Sequence, residues 1–282
     1  MFQKISNSWA LVKASAGVLK ADKELLIFPI LSAIGTLIVT LTFFVPTILA
    51  GLFDNLFTQD SQVLGYIVLF FFYLAQYFVV FFANTALVGA ALIRLRGGNP
   101  TVGDGFRIAF SHFGVILGYA LIAATVGVIL KVVSEKSKGL GRAIISLIGF
   151  AWNIATFLVV PILAVEDVGP FEAIKRSVQL LKKTWGEQIA GNLGMGAFFG
   201  LLTFVILLVG IPLSVFTAIT TESIWLTAAV AILFIFILII SGLISSTLSG
   251  VYTAAVYQYA VDGRSDGFFE PEMVKNAFKA TR

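Results

Sequence analysis

The side chains that could carry chemistry are few, and they lie at the ends of long apolar segments. The tightest group of acidic and basic residues joins Glu166 and Asp167 to Lys175 and Arg176. One histidine, His112, and no cysteine leave neither a thiolate or imidazole metal site nor a cysteine nucleophile. The HExxH, GxSxG and phosphate-binding-loop motifs are absent from the sequence. We therefore expect a non-enzymatic protein without a cofactor or a bound metal.

The segment that holds this group, 166–185, predicts a basic amphipathic helix. Pro170 suits the first helical position, and an apolar stripe recurs every three or four residues: Phe171, Ile174, Val178, Leu181 and Trp185. Such a helix lies in a membrane surface, packs on its own protein, or does both. The acidic neighbours of the helix either cap it and form exposed ion pairs or contribute to a lipid or partner site. We take as the candidate lipid or partner surface Lys175, Arg176, Lys182, Lys183 and Trp185.

Composition excludes an ordinary soluble domain. Hydrophobic residues make up 59% of the chain and charged residues 12%, about half the share in an average globular protein. The net charge of +4 comes from basic residues that flank apolar segments, a pattern that indicates a membrane rather than a nucleic acid. The chain is therefore expected to be an integral membrane protein that does not bind nucleic acid.

Six charge-poor segments are each long enough to cross a hydrocarbon core of about 30 Å as a helix. The predicted fold is all-α, with a membrane domain over 1–256 and a tail over 257–282 that carries a short helix. The last uncharged run is too long for one perpendicular crossing, so its helix either projects beyond the bilayer or breaks. The predicted spans are 26–52, 63–93, 112–131, 143–165, 189–215 and 224–256.

The distribution of Lys and Arg predicts the orientation. With the amino terminus inside, fifteen basic residues fall on the cytoplasmic side and four on the opposite side. We expect a multi-pass protein of the bacterial cytoplasmic (inner) membrane with both termini cytoplasmic. The loop at 132–142 departs locally from this pattern, because Lys131, Lys136, Lys138 and Arg142 lie in or beside it.

Rows of small residues predict close approach between helices. Gly191 and Gly194 lie in the fifth predicted span, and Gly242 and Gly250 lie in the sixth. In lipid, burying apolar side chains between helices gains little, so small residues that admit close backbone contact drive association. These rows predict a homo-oligomer, although the sequence leaves open whether each contact is within one chain or between chains.

Three stretches resemble one another and predict an internal repeat. Residues 2–20 form a second amphipathic pattern, and Asn99-Pro100 and Gly169-Pro170 each lead through a short helix into a span. Three units, each a surface helix followed by a hairpin of two spans, would account for six crossings.

Two longer segments carry a resemblance to known proteins. LRGGNPTVGDGFRIA at 95–109 and VVPILAVEDVGPFEAIKRSVQLLKKTWGE at 159–187 resemble a broad group of six-helix bacterial membrane proteins. The group includes the membrane domain attached to some glycerophosphodiester phosphodiesterases and several families of unknown function. The resemblance implies the fold. It implies no phosphodiesterase activity, because that chemistry belongs to a separate soluble barrel that this sequence lacks.

The span interiors offer only neutral polar residues, Gln76, Asn84, Asn153 and Asn192, which we expect to form hydrogen bonds between helices. Proton-coupled carriers keep ionisable groups at membrane depth, so proton coupling is not expected. The favoured function is membrane organisation or scaffolding through the basic amphipathic helices, with membrane lipids, anionic headgroups among them, as partners. The alternative is a passive or lipid-type transporter or channel formed by an oligomer.

Overall fold

The computed structural model describes residues 2–49, 62–185, 194–263 and 267–275, and within these all regular secondary structure is helical. The helices are α1 (Phe2–Ala21), α2 (Ile27–Leu49), α3 (Gln62–Leu95), α4 (Val102–Ser111), α5 (Phe113–Lys136), α6 (Leu140–Ala155), α7 (Val159–Val165), α8 (Pro170–Trp185), α9 (Gly194–Thr221), α10 (Ile224–Asp262) and α11 (Pro271–Lys275).

Six helical stretches are long and apolar enough to cross a membrane, which confirms the predicted all-α, six-span class. Each pair of crossings follows a shorter helix, namely α1, α4 or α8, as the predicted repeat requires. The fourth crossing consists of α6 and α7 together. The described crossings are Lys23–Ile48, Val63–Leu95, Phe113–Lys136, Leu140–Val165, Phe198–Thr221 and Ile224–Asp262.

The buried core lies at one end of the bundle, which we call the base layer: α1, α4, α8 and α11 with the helix ends packed on them. Leu25, Phe28 and Leu92 are almost completely buried there. In the other half, large apolar side chains remain exposed on every crossing. This division is expected, because apolar burial is favourable only where it removes surface from water. Examples of the exposed residues are Ile48, Val63, Ile129, Leu147, Ile219 and Ile232.

Helix α4 lies against α3 because Gly105 has no side chain. A Cβ atom at this position would lie 2.7 Å from the backbone oxygen of Ala86 and 2.4 Å from the ring of Phe28. The helix begins with a capping box, in which the Thr101 hydroxyl accepts from the Asp104 amide and the Asp104 carboxylate accepts from the Thr101 amide. Hydrogen bonds from the Thr101 hydroxyl and amide lower the pKa of the Asp104 carboxyl.

The fourth crossing is broken between Ala155 and Val159, where α6 ends and α7 begins. Pro161 accounts for the break, since it has no N–H for the carbonyl four residues earlier and its ring would clash with that carbonyl. Within the first turn of α7 the missing N–H costs nothing. The Leu158 amide, which begins the new turn, donates to the Ser177 hydroxyl of α8 at 3.1 Å. Helix α8 of the base layer therefore provides the hydrogen-bond acceptor for a backbone amide at the break.

Helix α10 is continuous over 39 residues, about 58 Å at 1.5 Å per residue, roughly twice the hydrocarbon thickness. The helix is unbroken, so of the two predicted alternatives the break is wrong. Its final third is buried among the base-layer helices, and Gly263, with φ of 68°, ends it in the left-handed conformation. The predicted boundary at 256 lies inside this helix.

Candidate functional site

Helix α8 begins at the predicted proline and turns its apolar face into the protein. Its buried residues are Ala173, Ser177, Leu180, Leu181 and Trp185. The buried face is therefore rotated from the stripe that the sequence suggested. Phe171 begins that stripe but is 74% exposed, while Ile174 and Val178 are only partly buried. The helix packs on its own protein, as the second interpretation of the sequence held.

The candidate surface residues divide into three kinds. Lys175, Lys182 and Lys183 are exposed on the outer side of α8. Arg176 is partly buried and directed to Glu166. Trp185 is 4% exposed, and its indole N–H donates to the Val274 carbonyl oxygen at 3.3 Å. The three lysines can therefore reach a lipid or partner, whereas the tryptophan ring joins α8 to the carboxyl-terminal segment.

Glu166 connects three helices at the end of the fourth crossing. Its carboxylate lies 3.3 Å from the Arg176 guanidinium of α8 and accepts a hydrogen bond from the Tyr257 hydroxyl of α10 at 2.9 Å. Both partners are partly or wholly buried, so the interaction holds the two helices against the end of α7. Within the acidic and basic group found in the sequence, Glu166 and Arg176 thus form a structural ion pair.

A second ion pair in the base layer was not predicted. Asp22, 9% exposed at its side chain, accepts two hydrogen bonds from Arg94, of which the Nη2–Oδ1 distance is 2.5 Å. The same guanidinium donates to the Asn99 side chain at 2.6 Å. An arginine at the end of a long charge-free span was the available signal, but its partner is 72 residues away.

The exposed charges of the base layer are of both signs, with the cations concentrated on α1 and α8. Acidic side chains lie mainly in connections and in the first turns of helices. The exposed cations are Lys13, Lys20, Lys23, Arg96, Arg107, Lys175, Lys182, Lys183 and Lys275, and the exposed anions are Glu24, Asp167, Glu172, Asp262, Glu270 and Glu272.

The four glycines expected at helix contacts have different surroundings. A Cβ atom on Gly250 would lie 2.4 Å from the Leu87 side chain, so this glycine admits close packing of α10 on α3 within one chain. Gly242, two turns earlier, has no atom of the described structure within 4 Å of that position. Gly194 is the first residue of α9, and Gly191 lies outside the described residues. Self-association remains a prediction.

Polar residues of the spans make local or interhelical hydrogen bonds. The Gln76 amide donates to the Thr40 hydroxyl at 2.8 Å and to the Thr36 carbonyl at 3.1 Å, which confirms the predicted bond between helices. His112 Nδ1 lies 2.9 Å from the Ile108 carbonyl oxygen of the preceding turn. Within the described residues, no group of three or more His, Asp or Glu side chains could hold a metal ion. The absence of enzymatic activity stays a prediction.

A model of a known protein family matches most of the chain. The family model described as "Family of unknown function (DUF6159)" matches residues 63–268, well over half of the chain. The chain belongs to the DUF6159 family. Comparison with curated proteins gives no match. The resemblance to the membrane domain of glycerophosphodiester phosphodiesterases stays a prediction.

The part of the chain that matches the DUF6159 family begins in α3 and ends just before α11. It includes α4, α8 and the Glu166 ion pair, but neither α1 nor α2. Asp22 therefore lies outside the matched region, whereas its partner Arg94 lies inside it.

Proposed function

We propose that this DUF6159 protein is a non-enzymatic protein of the bacterial cytoplasmic membrane that organises lipids or acts as a scaffold. In this proposal the base layer lies at the cytoplasmic surface, and the lysines of α8 attract anionic lipid headgroups. The observation that carries it is the packing of α8. Because its apolar face is buried in protein, Lys175, Lys182 and Lys183 are presented on a helix of fixed position.

The energetics favour a surface of this kind. Each lysine close to an anionic membrane surface contributes about 1 kcal/mol of attraction, which falls off within a Debye length. A helix that is already folded and packed loses little conformational entropy when lipid binds to it. Three lysines on one helix therefore suffice for a measurable preference for anionic over zwitterionic lipid.

The experiment replaces Lys175, Lys182 and Lys183 by Gln together. Arg176 is retained because it is paired with Glu166, and its loss would disturb packing as well as charge. The protein is reconstituted with spin-labelled phosphatidylglycerol or phosphatidylcholine, and the motionally restricted fraction of each lipid is measured. The wild type is expected to select phosphatidylglycerol, with a preference that weakens in salt. The variant is expected to lose much of this preference without a change in helix content or thermal stability.

Glu172→Gln is the matched control, because it removes an exposed anion from the same helix and is expected to raise the preference. Equal selectivity in wild type and triple variant would contradict the proposal. Saturable solute flux through the wild-type protein in liposomes, unaffected by the triple change, would instead favour a passive or lipid-type transporter.

A further inference from the structure

The fourth crossing stands apart from the rest of the bundle in its first half. None of the 16 residues of α6 is buried, whereas α5 beside it buries five. Where α6 diverges from α5, a cavity of about 340 Å³ lies between α3, α5 and α6. That volume is within the usual range for ligand sites. Its lining includes Tyr77, Phe81, Tyr119, Gly127, Trp152 and Asn153.

A second, wider space of about 670 Å³ opens between α5 and α6 towards the end of the bundle away from the base layer. Leu130, Gly149 and Asn153 line both spaces, so the two adjoin there, and we call them together the groove. The inner part adjoins the break in the fourth crossing. Irregular backbone at membrane depth is tolerated where it is buried in protein or lines a cavity.

Gly149 lies where the two parts of the groove meet. A Cβ atom there would meet only a methyl carbon of Leu130, at 3.8 Å, an ordinary contact. A larger side chain at this position would fill this junction without a backbone clash. Leu147 and Ile148, which do not line the groove, are more than half exposed, so α6 separates the groove from the outer surface of the bundle on that side.

The mouth of the groove carries positive charge. Lys131 and Arg142 line it, and Lys136 and Lys138 lie in the turn between them. The one acidic residue of this stretch, Glu135, lies 3.9 Å from Lys131, and both side chains are well exposed. Such exposed pairs contribute little. Among the described residues Arg142 forms no ion pair, so its guanidinium is available for a phosphate, which it suits geometrically.

We propose that this groove binds one anionic phospholipid. The phosphate lies between Lys131 and Arg142, and one acyl chain passes Gly149 and ends against the rings of Tyr77 and Trp152. A charged mouth joined to an apolar and aromatic channel suits an amphiphile better than a free anion. The site lies at the opposite end of the spans from the α8 lysines and is independent of them. It also gives the basic loop at 132–142 a role other than orientation.

Trp152 supplies the readout. In a Trp9→Phe, Trp225→Phe background the remaining tryptophans are Trp152 in the groove and Trp185, which is buried in the base layer and serves as a constant signal. The protein is reconstituted in phosphatidylcholine with a small fraction of lipid brominated on its acyl chains. Brominated phosphatidylglycerol is expected to quench Trp152 saturably, and more strongly than brominated phosphatidylcholine at the same fraction.

Two variants test the geometry. Lys131→Gln with Arg142→Gln is expected to weaken the apparent affinity for brominated phosphatidylglycerol by about fivefold per charge. Gly149→Leu is expected to remove the selective quenching, whereas Ala143→Leu, at an exposed position of the same helix, should leave it unchanged. The triple lysine variant of α8 should also leave it unchanged.

Equal quenching by the two brominated lipids, or selective quenching that survives Gly149→Leu, would overturn the proposal. Inorganic phosphate provides the remaining arm. If brominated phosphatidylglycerol quenches no more than brominated phosphatidylcholine, while inorganic phosphate alone, unlike sulphate or chloride at equal ionic strength, changes the Trp152 fluorescence, the mouth is a phosphate site and the lipid assignment is wrong. Retention of the selective quenching in phosphate supports the lipid.

Discussion

Replacing Arg94 by Gln is expected to lower the free energy of unfolding by about 3–5 kcal/mol, the usual cost of removing one partner of a buried ion pair. The Asp22 side chain, 9% exposed, would be left without its partner. The Asn99 side chain would lose its donor as well. The expected result is a large fall in thermal stability in detergent, measured by helical circular dichroism and tryptophan fluorescence.

Arg107→Gln is the matched control for this change. Arg107 is also an arginine of the base layer and pairs with Asp104 at 2.8 Å, but its side chain is 79% exposed. Its loss should therefore change the free energy of unfolding by less than about 1 kcal/mol. The double variant Asp22→Leu, Arg94→Met should be more stable than Arg94→Gln alone, because no unpaired charge stays buried. Equal stability of Arg94→Gln and Arg107→Gln would show that the Asp22 pair does not hold the base layer together.

Gly250→Leu is expected to destabilise the protein by about 1–3 kcal/mol through overpacking between α10 and α3. Leu87, whose side chain would lie 2.4 Å from the new Cβ atom, is fully buried. The loss should appear as a lower midpoint of thermal unfolding in detergent.

Gly242→Leu, two turns away on the same helix, separates packing within the chain from packing between chains. Its Cβ atom meets nothing within 4 Å in the described structure, and leucine favours a helix by up to about 1 kcal/mol over glycine. Monomer stability should therefore stay level or rise slightly. If copies of the chain associate through this face, the same change should lower the oligomeric mass measured by light scattering in nanodiscs. Equal destabilisation by the two variants would contradict this assignment of Gly250 to the α3 contact.

Local patterns predicted the elements of the fold well. Pro170 marked the first residue of α8, and charge-free length gave six crossings. The same reasoning gave a short helix in the tail, observed as Pro271–Lys275. These features depend on residues near one another in sequence, through helix periodicity, proline geometry and the length needed to cross a bilayer.

The sequence patterns did not predict contacts between residues that are far apart in the chain. The buried face of α8 was predicted from the stripe that begins at Phe171. The protein buries Ala173 and Ser177 instead, because small residues admit close packing and the Ser177 hydroxyl accepts a hydrogen bond from an amide at the break in the fourth crossing. The Asp22–Arg94 pair joins residues 72 positions apart. The groove between α5 and α6 arises because these two helices diverge. The sequence of neither helix alone specifies that divergence.

Thiol labelling tests most directly whether the base layer with its α8 lysines lies at the cytoplasmic surface. The chain has no native cysteine, so single cysteines can be placed at Gln179, an exposed residue among those lysines, and at Ser137 and Thr221 in the turns at the other end. In intact spheroplasts an impermeant maleimide is expected to label the cysteines at 137 and 221. The cysteine at 179 should react only after the membrane is permeabilised. Labelling of Gln179→Cys in intact spheroplasts, with Ser137→Cys and Thr221→Cys protected, would place the base layer outside the cell and contradict the proposed function.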